Sequence, residues 1–232
     1  MLGVWKAHYR GIVCLNVLDD DSMIVSAGED GMIHVWNLAD VLDKEGPMVR
    51  SRYSLKGHTL AVSGICTGNF GCSSRIASSS LDHSVKLWTI DGSLLETFVL
   101  PGPATCVCMD VLETWIFAGG EDGTIRQFPL RQDLQWKPRL FEGHSSSVTC
   151  VKLTLTGLVL VSTSLDSTCR LWDVFSSQLL SVVHFTKPVT SVLLCQQSDI
   201  SGGDPCKPLL RYQGRTENII EVSLSVQRGP FI

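Results

Sequence analysis

The chain has 232 residues, 44% of them apolar and 18% charged, a composition that supports a sizeable core and excludes a disordered segment. The formal net charge is −4, so composition offers no basic face of the kind that grips a nucleic acid backbone; the small clusters Arg50, Arg52, Lys56 and Lys137, Arg139 read as solvated surface. No apolar run reaches the roughly 18 residues a membrane helix needs, and residues 1–14 lack the basic stretch and long apolar run of a signal peptide.

In chain order, Leu2–Trp5 reads as the closing strand of a unit whose other strands are missing. Val13–Val17 and Met23–Ala27 then predict two strands, and a third ends on Trp36. Ala39–Val49, rich in Asp, Lys, Glu, Gly and Pro, predicts a loop that opens with a helical turn. The same succession follows three more times. Gly64–Thr67 and Ile76–Ser80 lead to Trp88 and then Leu94–Phe98, with Asn69–Ser74 lengthening one connection. Thr105–Asp110 and Trp115–Gly119 lead to Phe128. Thr149–Leu153 and Val159–Thr163 lead to Trp172 and then Leu179–His184. Pro188–Cys195 reads as the first strand of a fifth unit; beyond it Leu209–Tyr212 and Ile219–Val226 are strand candidates without markers.

The aromatic anchors Trp36, Trp88, Phe128 and Trp172 stand 52, 40 and 44 residues apart, bracketing the period of a four-stranded propeller blade. Six residues before each anchor stands Asp30, Asp82, Asp122 or Asp166. Ten before stands Ser26, Ser78, Ala118 or Ser162, and 28 to 30 before three of the anchors stand His8, His58 and His144. Asp30-Gly31 and Asp122-Gly123 are hairpin-turn signals.

Histidine, serine and aspartate recurring together could pass for a catalytic triad. Three copies at fixed offsets argue instead for a repeated structural part, and no enzymatic activity is expected. Gly119-Gly-Glu-Asp-Gly123 is a hairpin and not a phosphate loop. Asp19-Asp-Asp21 reads as a polar turn and not a calcium site. The nine cysteines contain no C-x-x-C pair, so no zinc site is expected, nor any other metal, cofactor or small-molecule substrate. Cys106 and Cys108 share one face of a strand and read as buried reduced thiols, which suits cytosol or nucleus.

These segments resemble the WD-repeat family over about residues 1–184. Gly143-His144 with Trp172-Asp173 shows both signatures in full; Gly57-His58 pairs with Trp88-Thr89, and Ala7-His8 with Trp36-Asn37. In the third copy Pro101-Gly102-Pro103 stands where the histidine belongs. The resemblance implies an all-β, WD40-type β-propeller: four blades plus partial blades at both ends, part of a seven-bladed ring with two to three further blades expected before Met1. The units are placed at 1–52, 53–98, 99–140 (degenerate), 141–184, and 185–232 (partial fifth blade and divergent tail). It also implies hydrogen-bonded tetrads: His8, Ser26, Asp30, Trp36; His58, Ser78, Asp82, Trp88; and His144, Ser162, Asp166, Trp172. The third blade keeps Asp122 alone, held by packing and its turn.

The blade order, with the degenerate third copy and Lys187-Pro-Val-Thr190 opening the next, is similar to the WD-repeat subunit of the nuclear complex that matures the large ribosomal subunit, called WDR-eighteen in animals and Ipi-three in yeast. That similarity implies a non-catalytic subunit in nucleolus and nucleoplasm, with the cytoplasm as a second location. Its partners would be Rix/PELP-type subunits and the pre-60S particle, with rRNA contact secondary and no membrane. It would be linked to removal of internal transcribed spacer 2 from pre-rRNA. The family's C-terminal helical extension has no heptad counterpart after Cys195. Two competing readings are a substrate receptor of a cullin-type ubiquitin ligase and another signalling or trafficking adaptor. The first expects Arg three residues after the blade Trp, where Ala39, Asp91, Arg131 and Phe175 stand. Partner-binding candidates are the residues just before the turn aspartates, Glu29, Leu81, Glu121 and Leu165, on the rim where the b–c and d–a turns emerge.

Overall fold

Strands whose two faces are both covered need small or apolar residues at every position, and strand b of each repeat has them. Met23–Gly28, Arg75–Ser80, Trp115–Gly120 and Val159–Ser164 are buried almost throughout. A computed structural model describes residues 5–42, 50–130, 138–194 and 219–221. Most of Leu2–Trp5, the loop beyond Leu42, Leu209–Tyr212 and most of Ile219–Val226 lie outside them.

Four antiparallel meanders follow one another. The first comprises β1 (Ile12–Val17), β2 (Met23–Gly28), β3 (Met32–Asn37) and β4 (Tyr53–Lys56). The second comprises β5 (Val62–Thr67), β6 (Arg75–Ser80), β7 (Ser84–Thr89) and β8 (Leu94–Val99). The third comprises β9 (Ala104–Met109), β10 (Trp115–Gly120), β11 (Ile125–Pro129) and β12 (Leu140–Phe141). The fourth comprises β13 (Val148–Leu153), β14 (Val159–Ser164), β15 (Thr168–Asp173) and β16 (Leu179–His184). They are the four expected blades. The loop after β3 does open with a helical turn, α1 (Leu38–Leu42), and Gly71–Ser73 forms a 3₁₀ turn.

Two unit boundaries move. Tyr53–Lys56 pairs with β3, so it closes the first blade and does not open the second. Phe141 pairs with Ile125 and belongs to the third blade, not the fourth. The insertion after Trp36 hides the first case, because it carries strand d far from its hairpin partner in sequence.

The apolar core is a series of layers between neighbouring sheets. Val25, Ala27, Ile33, Val35 and Leu55 of the first blade meet Val62, Ile76 and Trp88 of the second. The other face of the second blade, Ala77, Val85, Leu87 and Phe98, meets Ala104, Val107, Ile116 and Ala118 of the third. Phe117, Ile125 and Phe141 then meet Val148, Leu160 and Trp172 of the fourth. Alternation along each strand thus serves two different neighbours, the one-dimensional packing of a repeat array. The d strands on the outside are exposed along most of their length, as at β8 and β16.

Each strand a carries a β-bulge, at Val13, Ser63, Thr105 and Thr149. The bulge re-aims its side chain. Ser63 donates to the Ala104 carbonyl at 2.6 Å, Thr105 to the Val148 carbonyl at 2.5 Å and Thr149 to the Val189 carbonyl at 2.5 Å. Each hydroxyl clasps the next repeat. Val13 has no hydroxyl; between the first two blades Asn16 donates to Thr67 at 3.1 Å instead. The Thr149 clasp seats β17 (Ser191–Leu193) beside the fourth blade, the place of the expected fifth-blade strand. Its partner, β18 (Ile219–Glu221), runs parallel to it, unlike any pair in the four meanders.

Candidate functional site

The three complete tetrads have one geometry. Trp36 Nε1–H donates to Ser26 Oγ at 2.9 Å, Ser26 Oγ lies 2.8 Å from His8 Nε2, and His8 Nδ1 lies 3.0 Å from Asp30. In the second blade the distances are 2.9 Å from Trp88 to Ser78, 2.7 Å from Ser78 to His58 and 2.9 Å from His58 to Asp82. In the fourth they are 2.8 Å from Trp172 to Ser162, 2.8 Å from Ser162 to His144 and 2.9 Å from His144 to Asp166. One proton assignment gives every atom a partner: indole to hydroxyl, hydroxyl to a neutral imidazole nitrogen, and Nδ1–H to carboxylate. The serine hydroxyl spends its proton on the histidine and accepts from the tryptophan. Ser26, Ser78 and Ser162 are buried, each hydroxyl enclosed between its indole and its imidazole.

Each aspartate also ties two turns together. Asp30 accepts the Tyr9 and Met32 amides, Asp82 those of Thr59 and Ser84, and Asp166 those of Ser145 and Thr168. Partial burial pushes these carboxyls up, but the donors outweigh it. Ser84, His58 and the Thr59 amide bring Asp82 down to about 2; Thr168, His144 and the Ser145 amide bring Asp166 to about 2. Burial holds His58 and His144 below the usual histidine range, against the pull of Asp82 and Asp166. The rings are therefore neutral at pH 7, as the proton assignment requires.

The third blade solves the same problem differently. Asp122 accepts from the Thr124 hydroxyl at 2.7 Å and amide at 3.0 Å, and pairs with Arg126 at 2.9 Å. The expectation of packing and turn alone missed this guanidinium, which stands two residues before the anchor. In place of the indole, Phe128 stacks on Phe98 with ring centroids 4.9 Å apart.

Glu29, Leu81, Glu121 and Leu165 are all exposed, at one end of the fold. Their backbones repeat one bond: their amides donate to the carbonyls of Gly11, Ala61, Pro103 and Ser147, which pins each b–c turn to the d–a connection of its own blade. Gly31 and Gly123, with φ of +73° and +79°, carry that end across to the next blade. A Cβ on Gly31 would meet the His58 and Leu60 carbonyl oxygens, and one on Gly123 those of His144 and Ser146. Tyr9 and Leu60, also exposed at this end, were missed by the sequence reading. Their signal was their place, one and two residues after a tetrad histidine.

Cys106 and Cys108 are buried, free, and pushed up by burial, Cys106 to about 12, so they are poor nucleophiles and poor ligands. Asp20 accepts from Ser22 within a turn. Among the described residues no three His, Cys, Asp or Glu side chains gather as a metal site would need. No described helix is long and apolar enough to cross a membrane. Of the ligase-receptor positions, Phe175 is exposed and Arg131 lies outside the described residues.

The WD40 family profile, described as WD domain, G-beta repeat, matches residues 1–37, 49–89, 92–128 and 136–173. Among curated proteins, the chain is 34% identical over 227 residues to WD repeat-containing protein 18 of Homo sapiens, covering 91% of this chain and 52% of that protein. It is 35% identical over 206 residues to the Rattus norvegicus protein of the same name, covering 84% of this chain and 48% of the relative. It is 28% identical over 225 residues to the pre-rRNA-processing protein pro-1 of Caenorhabditis elegans, covering 88% and 42%. The chain spans about half the length of the curated relatives it matches.

Proposed function

The chain belongs to the WD40 repeat family, and from that premise we propose that it is a non-catalytic scaffold in large ribosomal subunit biogenesis, acting in processing of pre-rRNA at internal transcribed spacer 2. The observation that carries the non-catalytic part is the tetrad geometry: each histidine, serine and aspartate is used up inside its blade. The pre-rRNA part rests on the similarity to pro-1 of Caenorhabditis elegans, a relative named for that process.

The rim then supplies the contacts. Leu81 and Leu165 project from pinned turns beside Glu29 and Glu121, giving an apolar and acidic edge that suits protein partners such as Rix/PELP-type subunits better than RNA phosphate. rRNA contact is secondary, and the site of action is the nucleolus and nucleoplasm. The test is co-sedimentation of the tagged chain with precursors of the large subunit, together with the level of spacer-containing pre-rRNA after its depletion. Joint recovery and a rise in that precursor support the reading; recovery with cullin-ligase or coat subunits instead overturns it. Leu81→Asp with Leu165→Asp leaves the fold intact and releases the partner; unchanged recovery removes the rim from the proposal.

A further inference from the structure

A cavity of about 490 Å³ opens between the third and fourth blades, at the end of the fold opposite the tetrads. Its walls are mainly apolar, with Trp115 inside and Leu112, Leu155, Leu158 and Phe175 exposed around it. The polar lining side chains Asp110, Thr114, Arg139 and Thr156 are hydrogen-bonded within the protein; one further lining residue is not fully paired. Gln127 on β11 is 3% exposed, and its carboxamide Oε1 has no hydrogen-bond donor among the described residues. In the other three blades the residue before the anchor is aliphatic: Val35, Leu87 and Leu171. The third blade alone places a carboxamide there. A buried acceptor without a donor costs stability, and a Leu at that position would avoid the cost.

We propose that this cavity is a docking site for the tryptophan side chain of a protein partner, the indole seated among Leu155, Leu158 and Phe175 with its ring N–H donating to Gln127 Oε1. The site requires a large apolar body carrying a single donor. Leu and Phe bring no donor, and Lys or Arg would bury a charge against apolar walls. A nucleic acid base would leave several polar edge atoms unpaired, since the other polar lining groups are engaged within the protein and one unpaired acceptor is offered. Indole meets the requirement, and the volume lies within the range of preformed ligand pockets, about 300–1,000 Å³. The site is separate from the rim, and it stands whether or not the ribosomal reading does.

The probe is N-acetyl-tryptophan amide, titrated into the intact chain and followed by amide shifts, with its 1-methylindole analogue, N-acetyl-phenylalanine amide and adenosine as comparators. Expected are shifts confined to the residues around the cavity, and binding of the 1-methyl and phenylalanine probes about five- to tenfold weaker. Gln127→Leu should abolish the preference over the 1-methyl analogue while raising the thermal midpoint. Leu155→Glu, a change on an exposed residue that spares the fold, should abolish probe binding. Equal affinity for the N–H and N-methyl probes, or shifts elsewhere, overturns the proposal. Tighter binding of adenosine overturns it in favour of nucleic acid. Binding that appears only after residues 131–137 are replaced by a Gly-Ser segment overturns it in favour of self-occupancy by the chain.

Discussion

The third and fourth blades are neighbours with the same strand order and opposite ways of holding their b–c turns. The fourth holds Asp166 through a buried chain of imidazole, hydroxyl and indole. The third has no histidine, an alanine for the serine and a phenylalanine for the tryptophan, and it closes the turn with Thr124 and Arg126. Both sheets keep their register and both are packed from two sides. The tetrad is therefore not what makes a blade. In a serial array the neighbouring sheets supply most of the burial, and the tetrad adds local rigidity to a turn already in place.

The largest effect that should separate the two is loss of the anchor. Trp172→Ala should cost about 3–5 kcal/mol, because the indole is fully buried and its N–H bond goes with it. Phe128→Ala should cost less, since its ring is only partly buried. Urea titration read by amide signals of each blade measures both; equal losses would break the comparison.

Next is the hydroxyl. Ser162→Ala strands the Trp172 N–H and His144 Nε2 and should cost about 1–3 kcal/mol. The reverse change in the third blade, Ala118→Ser, should give no stability, because no histidine or indole waits for it. A gain from Ala118→Ser would show that the third blade keeps a latent tetrad.

Acidification from pH 7 to 5 should give a graded loss in the second and fourth blades that the third blade does not share. Unfolded histidines take up protons near pH 6.5, whereas burial keeps His58 and His144 neutral to lower pH in the fold. The folded state binds fewer protons below that point, so this stability is complete above pH 6.5 and falls as pH drops. Asp82 and Asp166, held at about 2 from 3.8, add a second loss within the carboxylate range. The turn of the third blade has only Asp122, brought down mainly by Arg126 and Thr124 against its partial burial, and should respond in the carboxylate range alone. Amide exchange of each b–c turn between pH 7 and 5 tests this; early loss in the third blade would contradict it.

The smallest effect should come from Arg126→Ala. The pair with Asp122 is partly exposed, so removal should cost about 0–1 kcal/mol and less at high salt. A larger, salt-independent loss would make Arg126 a full substitute for the tetrad.

The repeat was legible because polar groups in a tight turn must be paired, and the same pairing three times over leaves fixed offsets in the sequence. That logic found His8, His58 and His144 with their partners. It could not find Arg126, which answers the same need from a position outside the template. Nor could it find the bulge hydroxyls, since Ser63, Thr105 and Thr149 look like ordinary strand residues until the register shift shows where they point. Tyr53 was assigned to the wrong blade because sequence distance was read as spatial distance. Gln127 was visible all along, but its meaning needed two facts from the fold: its burial and the lack of a donor among the described residues.

The bulge hydroxyls give the array a grammar. Ser63, Thr105 and Thr149 each reach forward to a carbonyl of the following repeat, so a blade carries a plug on one flank and a socket on the other. The second, third and fourth blades share that connector and could be duplicated or spliced in new orders without redesigning the joint. The first, with Val13 in place of the hydroxyl residue, has a plugless seam to its successor and would have to be given a threonine before it could be shuffled with the rest.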